Sequence, residues 1–490
     1  MGIRRPAVTA AAAAALIGAF TVPLVGDMAL AAEGTATVRE DFNGDGYQDL
    51  AVAAPAATVG GHSGAGYVAI GYGSAKGLDP ARTTVITQDT AGVPGTSGDN
   101  HGFGHRLIPR DLDGDGLTDL AVVTNEYRRA NNIGGSVIIL WGRGTGVSGR
   151  GAVRIPAPVN AFVGEDINAG DFDGDGYTDL FMRNAEDFDF RAVLYGPFGR
   201  DGAPAREQQL TAFSTDNTIC STAAGDFNGD GIDDLATFYV YEDHAEGGKL
   251  WLGTKQGLST VPGRLPSADT TAVGDFDKDG YADLATRVFP NGETYLEDDP
   301  GTIKIYYGSS AGPSTTRTKT ITQETAGVPG VSEKGDQFGA RLSAGDVNGD
   351  GYADLAVGDP GEAIGSVVKA GSVVLLKGGR GGLTGTGAQA FHQGTPGVPG
   401  TVERGDLFGG SVRLSDVTGD GKADLAAGAP GEDLGAVVNG GAVWLLRGTA
   451  SGPTASKAFA ESPLDLGAPA VEAEFGENLG GDNGPALVIP

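Results

Sequence analysis

Phe338-Gly339, then Leu342, then Asp346-Val347-Asn348-Gly349-Asp350-Gly351-Tyr352-Ala353-Asp354, then Leu355-Ala356-Val357-Gly358-Asp359-Pro360-Gly361 sets the architecture of this chain. Its nine-residue centre carries Asp at positions 1, 5 and 9, Asn at 3 and Gly at 6. The centre recurs seven times, starting at Asp41, Asp111, Asp171, Asp226, Asp275, Asp346 and Asp416, with Leu next in every copy. The starts lie 70, 60, 55, 49, 71 and 70 residues apart. That spread is too wide for a helical solenoid and suits β-modules joined by variable loops.

Strand-like segments surround each loop. A short apolar Leu-Ala-Val-type segment follows it. Further on comes a glycine-bounded run rich in Val, Ile, Leu, Tyr and Trp: Gly66–Gly71, Gly135–Gly142, Arg191–Gly196, Gly248–Gly253, Gly301–Gly308, Gly371–Gly378 and Gly441–Gly448. A weaker strand precedes the next module, as in Thr83–Gln88 and Lys319–Gln323. Such runs read as short buried strands between turns. Four short strands per unit and seven units predict an all-β chain folded as a seven-bladed β-propeller. A closed ring also leaves few sheet edges exposed. The modules fall at about 34–97, 98–160, 161–215, 216–264, 265–332, 333–402 and 403–474. Residues 475–490 repeat the template without the loop: Phe475-Gly476, Leu479, Gly481-Asp482 and Leu487-Val488-Ile489-Pro490. The first module lacks a Phe-Gly, so the tail is expected beside it, closing the ring.

Composition narrows the function. The formal charge of −29 disfavours nucleic acid and anionic membrane surfaces, both of which need clustered Lys and Arg. Arg4-Arg5, the apolar stretch Ala7–Val25 and Ala29-Leu30-Ala31 read as an export signal over residues 1–32, leaving 33–490 as the propeller. No later run is long enough to span a bilayer, so the expected location is extracellular. Cys220 is the single cysteine, and a disulfide cannot stabilise the monomer expected here.

The loop chemistry points to a divalent cation. Hard oxygens crowd into nine residues, and Gly at position 6 permits the sharp turn. Carboxylates about 4 Å apart repel by roughly 4 kcal/mol per pair at an effective dielectric near 20, which a bound cation would cancel. Oxygen-only ligands with adaptable geometry select Ca²⁺ over Zn²⁺ or Cu²⁺, and up to seven structural Ca²⁺ ions are expected. The candidate ligands of the first three loops are Asp41, Asn43, Asp45, Tyr47 and Asp49; Asp111, Asp113, Asp115, Leu117 and Asp119; and Asp171, Asp173, Asp175, Tyr177 and Asp179. The middle two loops offer Asp226, Asn228, Asp230, Ile232 and Asp234, then Asp275, Asp277, Asp279, Tyr281 and Asp283. The last two offer Asp346, Asn348, Asp350, Tyr352 and Asp354, then Asp416, Thr418, Asp420, Lys422 and Asp424. Position 7 has no common side chain and is expected to give its backbone carbonyl. Thr418 and Lys422 make the last loop the weakest.

Phe-Gly, the acidic loop, Leu-Ala-Val-Gly and Ala-Pro or Asp-Pro together resemble the FG-GAP repeat of integrin α-subunit propellers. Phe408-Gly409 to Ala429-Pro430 and Phe338-Gly339 to Asp359-Pro360 carry the likeness most fully. Modules three to five lack Phe-Gly and are similar to the bacterial VCBS-type variant. The resemblance implies structural Ca²⁺ on one face, in loops between the first two strands of a blade. It implies partner binding on the other face, here through Ala54–Gly64, Thr124–Gly134, Asp359–Ala370, Ala429–Asn439 and Gly92–His101. Integrin leg domains, a transmembrane helix and a β-subunit have no counterpart.

Other motifs are absorbed by the repeat. Arg404-Gly405-Asp406 aligns with Lys334-Gly335-Asp336, so its Gly-Asp belongs to the module. Gly308-Ser309-Ser310-Ala311-Gly312 matches a nucleophile-elbow pattern but sits between strands, where a turn is expected. The five histidines show no zinc spacing. No catalytic constellation emerges. The reading is a secreted, Ca²⁺-binding β-propeller serving as a binding or adhesion module for an extracellular protein or glycan. A hydrolase or lyase using the central channel, and a lectin, are the alternatives.

Overall fold

The computed structural model describes residues 40–126, 135–156, 163–184, 191–211, 218–242, 244–289 and 299–481. The expected export signal, the end of the tail (482–490) and most of the Thr124–Gly134 loop lie outside them.

The apolar segment after each acidic loop forms a strand, buried along its whole length in Leu50–Ala54, Asp119–Thr124, Asp283–Arg287, Asp354–Asp359 and Asp424–Ala429. Burial on both faces explains a continuous apolar run instead of an alternating one. Each such strand is second in a four-stranded antiparallel sheet, and there are seven of these sheets. In the second blade the order is Arg106–Arg110, Asp119–Thr124, Ser136–Leu140 and Val153–Arg154. The sixth runs Arg341–Gly345, Asp354–Asp359, Ser372–Lys377 and Thr384–Phe391. The chain is thus a seven-bladed β-propeller, nearly all β. Two helical turns, Pro80–Arg82 and Pro463–Leu466, are the helices among the described residues. In blade 4 the third strand begins at His244, four residues before the expected Gly248. The β-forming run Thr237–Tyr241 lengthens that hairpin.

The acidic loop joins the first strand of a blade to the second in six blades and leads into the second strand in blade 1, so all seven loops emerge on one face. Blade 1 is assembled differently from the rest. Leu50–Ala54, Tyr67–Gly71 and Thr84–Ile86 come from the N-terminal module, while the innermost strand is Asn478–Leu479 from the tail. Val52 pairs with Leu479 and Ala53 with Asn478. The same register joins Val357 to Leu342 in blade 6. Innermost strands touch their neighbours all the way round, including Asn478–Leu479 against both Arg106–Arg110 and Ser411–Ser415.

The core lies between blades. Phe42, Val68, Ile70, Leu107, Leu120 and Ile138 form one buried cluster from blades 1 and 2. Tyr67, Val443, Ala426, Phe475 and Leu479 form another across blades 7 and 1. The Phe of each Phe-Gly is fully buried at Phe103, Phe338, Phe408 and Phe475. Its N–H donates to the residue just ahead of the preceding blade's third strand, as Phe408 does to Ala370 at 2.9 Å.

Candidate metal centres

Position 1 organises each loop. In the Asp346 loop, Oδ1 accepts the N–H groups of Gly349 at 2.7 Å and Asp350 at 3.2 Å, and Oδ2 accepts that of Gly351 at 2.7 Å. Asp41, Asp111 and Asp226 repeat all three bonds. The chain curls because position 6 is left-handed in every copy, from φ 81° at Gly421 to φ 91° at Gly46. Only glycine takes that conformation freely. Position 4 is also left-handed, and Lys278 occupies it at φ 58°.

Position 9 is the buried end. Asp49, Asp119, Asp179, Asp234, Asp283, Asp354 and Asp424 are all 0% exposed. Asp354 Oδ2 accepts Val347 N–H at 3.1 Å and its Oδ1 accepts Gly378 N–H at 2.8 Å. The bond to the glycine just past the third strand occurs in all seven blades, at Gly73, Gly142, Gly196, Gly253, Gly308, Gly378 and Gly448. That glycine is required by contact: a Cβ there would stand 2.1 to 2.5 Å from the carbonyl of position 8. Burial pushes the position-9 carboxyls up, to about 8 at Asp119, Asp179, Asp234 and Asp283, about 7 at Asp49 and Asp354, and about 6 at Asp424. The backbone donors oppose that rise and neighbouring loop carboxylates add to it.

Three loops draw three carboxylates together, with one oxygen from each within 4.8 Å of the others: Asp111, Asp113 and Asp115; Asp171, Asp173 and Asp179; Asp275, Asp277 and Asp279. The other four have an amide or hydroxyl at position 3, at Asn43, Asn228, Asn348 and Thr418. Asp173 Oδ1, Asp277 Oδ1 and Asp234 Oδ2 are buried without a hydrogen-bond partner. Orphaned hard oxygens beside other carboxylates are the donor set a divalent cation satisfies, so the residues fit Ca²⁺. The last loop is the least acidic in effect. Arg447 and Lys422 approach Asp420 at 2.9 and 3.6 Å. Burial raises the Asp420 pKa, but the Arg447 hydrogen bond and the charges of Lys422 and Arg447 together outweigh it and hold it below the ordinary value.

The sequence did not disclose what positions 2, 7 and 8 do. Position 2 is apolar and buried in every copy, at Phe42, Leu112, Phe172, Phe227, Phe276, Val347 and Val417. Position 7 reaches over the previous blade's loop. A methyl added at Gly44 would stand 2.7 Å from Leu117 Cδ2, one at Gly114 would stand 2.5 Å from Tyr177 Cε1, and one at Gly419 would meet Tyr47. Position 8 donates its N–H to the previous loop's position-1 carbonyl, as from Thr118 to Asp41 at 3.1 Å, Asp233 to Asp171 at 2.9 Å and Ala423 to Asp346 at 2.8 Å. Gln48 joins the first loop to the last, its side-chain oxygen accepting Asp416 N–H at 2.5 Å. The loops therefore form a linked belt. The signal existed as a period, but it lay in residues of unlike chemistry.

The FG-GAP repeat model matches residues 34–70, 221–252, 338–376 and 408–446, and an FG-GAP-like repeat model matches 111–182. The chain is an FG-GAP repeat propeller protein. A phosphatidylinositol-glycan-specific phospholipase D from Bos taurus is 29% identical over 158 residues, 31% of this chain. The match spans only 18% of that protein's length. Among solved structures, the Dos1 propeller aligns over 81% of this chain and 78% of its own at 9% identity and TM-score 0.42. AofleA from Arthrobotrys oligospora aligns over 71% and 87% at 9% identity and TM-score 0.36. At these scores the structural likenesses say nothing of function.

The remaining motifs of this FG-GAP propeller are structural. Asp406 of Arg404-Gly405-Asp406 is 1% exposed and accepts Glu403 N–H at 2.7 Å, so the carboxylate of the tripeptide is not displayed. Ser309 Oγ donates to Gly312 O at 2.7 Å, closing a turn. Cys220 is buried, with Sγ 3.3 Å from Ala268 O. The described histidines join no three-ligand cluster. A central cavity of about 790 Å³ is lined by small inner-strand residues such as Ala169, Ala223, Ala272 and Ala344 and by acidic-loop residues, with Arg110, Arg413, Asp171, Asp233, Asp346 and Asp416 at its wall.

Proposed function

We propose that this protein is a secreted, calcium-stabilised propeller that serves as an extracellular binding or adhesion module for a protein or glycan. The observation that carries the reading is the set of carboxylate clusters on one face, with buried oxygens of Asp173 and Asp277 left unpartnered. The oxygens of positions 1, 3, 5 and 9 and the carbonyl of position 7 would hold each Ca²⁺. A bound ion would cancel the repulsion of the clustered carboxylates and tie the loop into the belt. That is a structural role, which leaves the opposite face for recognition. There the connections between second and third strands are pinned, not trailing: Val59 bridges His62, Ile364 bridges Val367 and Leu434 bridges Val437. Val368 and Val438 in these loops, and Val331 and Val471 ahead of neighbouring inner strands, are exposed apolar side chains. Among the described residues no helix is long and apolar enough to cross a membrane.

The test is a glycan-array and extracellular-protein binding screen of the mature chain with Ca²⁺ and with chelator. Calcium-dependent capture of one ligand class, lost on substituting Val368 and Val438 by Asp, supports the reading. Capture unaffected by those substitutions, or no capture at all, counts against it.

A further inference from the structure

Asp at position 3 occurs in three of the seven loops, at Asp113, Asp173 and Asp277. Each of these, and no other position 3 among the described residues, is paired with an arginine. Arg200 reaches Asp113 at 2.6 Å and Asp115 at 2.8 Å. Arg206 reaches Asp173 at 2.5 Å. Arg317 pairs with Asp277 and lies 2.6 Å from Asp279. The arginines come from different places. Arg200 belongs to blade 3 and crosses to the blade 2 loop, Arg206 sits on the outer strand of blade 3, and Arg317 precedes the outer strand of blade 5.

All three share a second feature. The guanidinium lies over an aromatic ring at the end of a third strand: Arg200 over Trp141 at 4.6 Å, Arg206 over Tyr195 at 3.2 Å and Arg317 over Tyr307 at 4.9 Å. The ring and the carboxylate hold the planar cation between them. In Asp173 and Asp277 the arginine takes Oδ2, and Oδ1 is the buried oxygen with no partner.

We propose that Arg200, Arg206 and Arg317 are charge-matching residues that set the cation affinity of these three loops. Counting ligand carboxylates and the arginines paired with them, four aspartates less one arginine leave a net charge of −3, as do the three ligand aspartates of the Asn228 and Asn348 loops, whereas in the Asn43 loop Arg82 also stands 3.9 Å from Asp45. The three arginine-paired loops thus present the same ligand charge to a cation as the Asn228 and Asn348 loops, although their ligands differ. The arginines act through the position-3 carboxylate and are positioning residues. The inference rests on the proposed calcium binding.

The test is competition for Ca²⁺ against a chromophoric chelator, with melting in excess chelator, on the full chain and four variants. R317Q should bind calcium about tenfold more tightly at one site, from the loss of a partly solvated charge near a divalent ion. It should also melt lower than the parent in chelator. R317K should match the parent in both. D277N should weaken one site, and D277N with R317Q should return it to the parental affinity. Equal calcium affinity in R317Q and R317K, or a double variant as weak as D277N alone, overturns the charge-matching role. A parent that takes up no calcium overturns the calcium reading as well, so the two failures are told apart.

Discussion

The N–H of Gly476 donates to the carbonyl of Ala53 at 3.0 Å, so the last repeat element completes the first blade. Ring closure therefore rests on a short tail strand. Phe475 beside it is fully buried, its ring 6.3 Å from that of Tyr67. Phe475→Ala should cost about 3–5 kcal/mol, the usual range for emptying a buried aromatic site. Chemical denaturation checks this, and a chain cut before residue 475 should fail to unfold cooperatively.

Gln48 makes a second closure on the loop face, where its side-chain oxygen accepts from Ser415 and from Asp416 N–H. Gln48→Ala leaves that N–H without its partner and should cost roughly 1–3 kcal/mol. Gln48→Glu keeps the acceptor and should cost less. Denaturant midpoints of the two variants provide the comparison.

Positions 5 and 9 of one loop should separate by their response to metal. Asp354 accepts two backbone N–H groups, from Val347 and Gly378, so Asp354→Ala should cost roughly 3 kcal/mol even in chelator, and more in calcium, where a cation ligand is lost as well. Asp350→Asn keeps the oxygen that accepts Tyr352 N–H. It should lower the melting temperature in calcium and change little in chelator. Paired melting curves in the two conditions read the difference.

A pH dependence follows on the opposite face. Glu432 is held by Gln393 at 2.6 Å, and burial, with Asp406, Glu403 and Asp433 nearby, pushes its pKa from 4.5 up to about 7. The folded pKa lies above the unfolded value. Its stabilising contribution is therefore full below about 4.5 and is lost as pH rises through about 7. Glu432→Gln should thus stabilise the protein at pH 8 by about 1 kcal/mol, allowing for partial exposure, and make no difference at pH 4. Melting at the two pH values tests the sign.

Much of this was written locally. The spacing of Asp346, Asp350, Asp354 and Gly351 announced the loop, and Leu355-Ala356-Val357 the strand after it. The Phe-Gly at 475–476, missing before Asp41, pointed to where the tail packs. What stayed hidden depends on the neighbouring blade. Leu117, Tyr177, Ile232 and Lys422 share only their place over the previous loop. Position 9 looked like a cation ligand only, yet Asp49 also accepts Phe42 and Gly73 N–H, a partnership set by strand packing. Arg200, Arg206 and Arg317 occupy three different offsets, so no repeat in the sequence aligns them.

The central claim is that the acidic loops hold divalent cations that fix the ring. Calorimetric titration of chelator-stripped protein with Ca²⁺, followed by melting of the loaded and stripped forms, tests it most directly. Stripped protein should take up several ions per chain with a clear rise in melting temperature, since a cation bound only by the native state stabilises it. No binding heat and superimposable melting curves would contradict the claim.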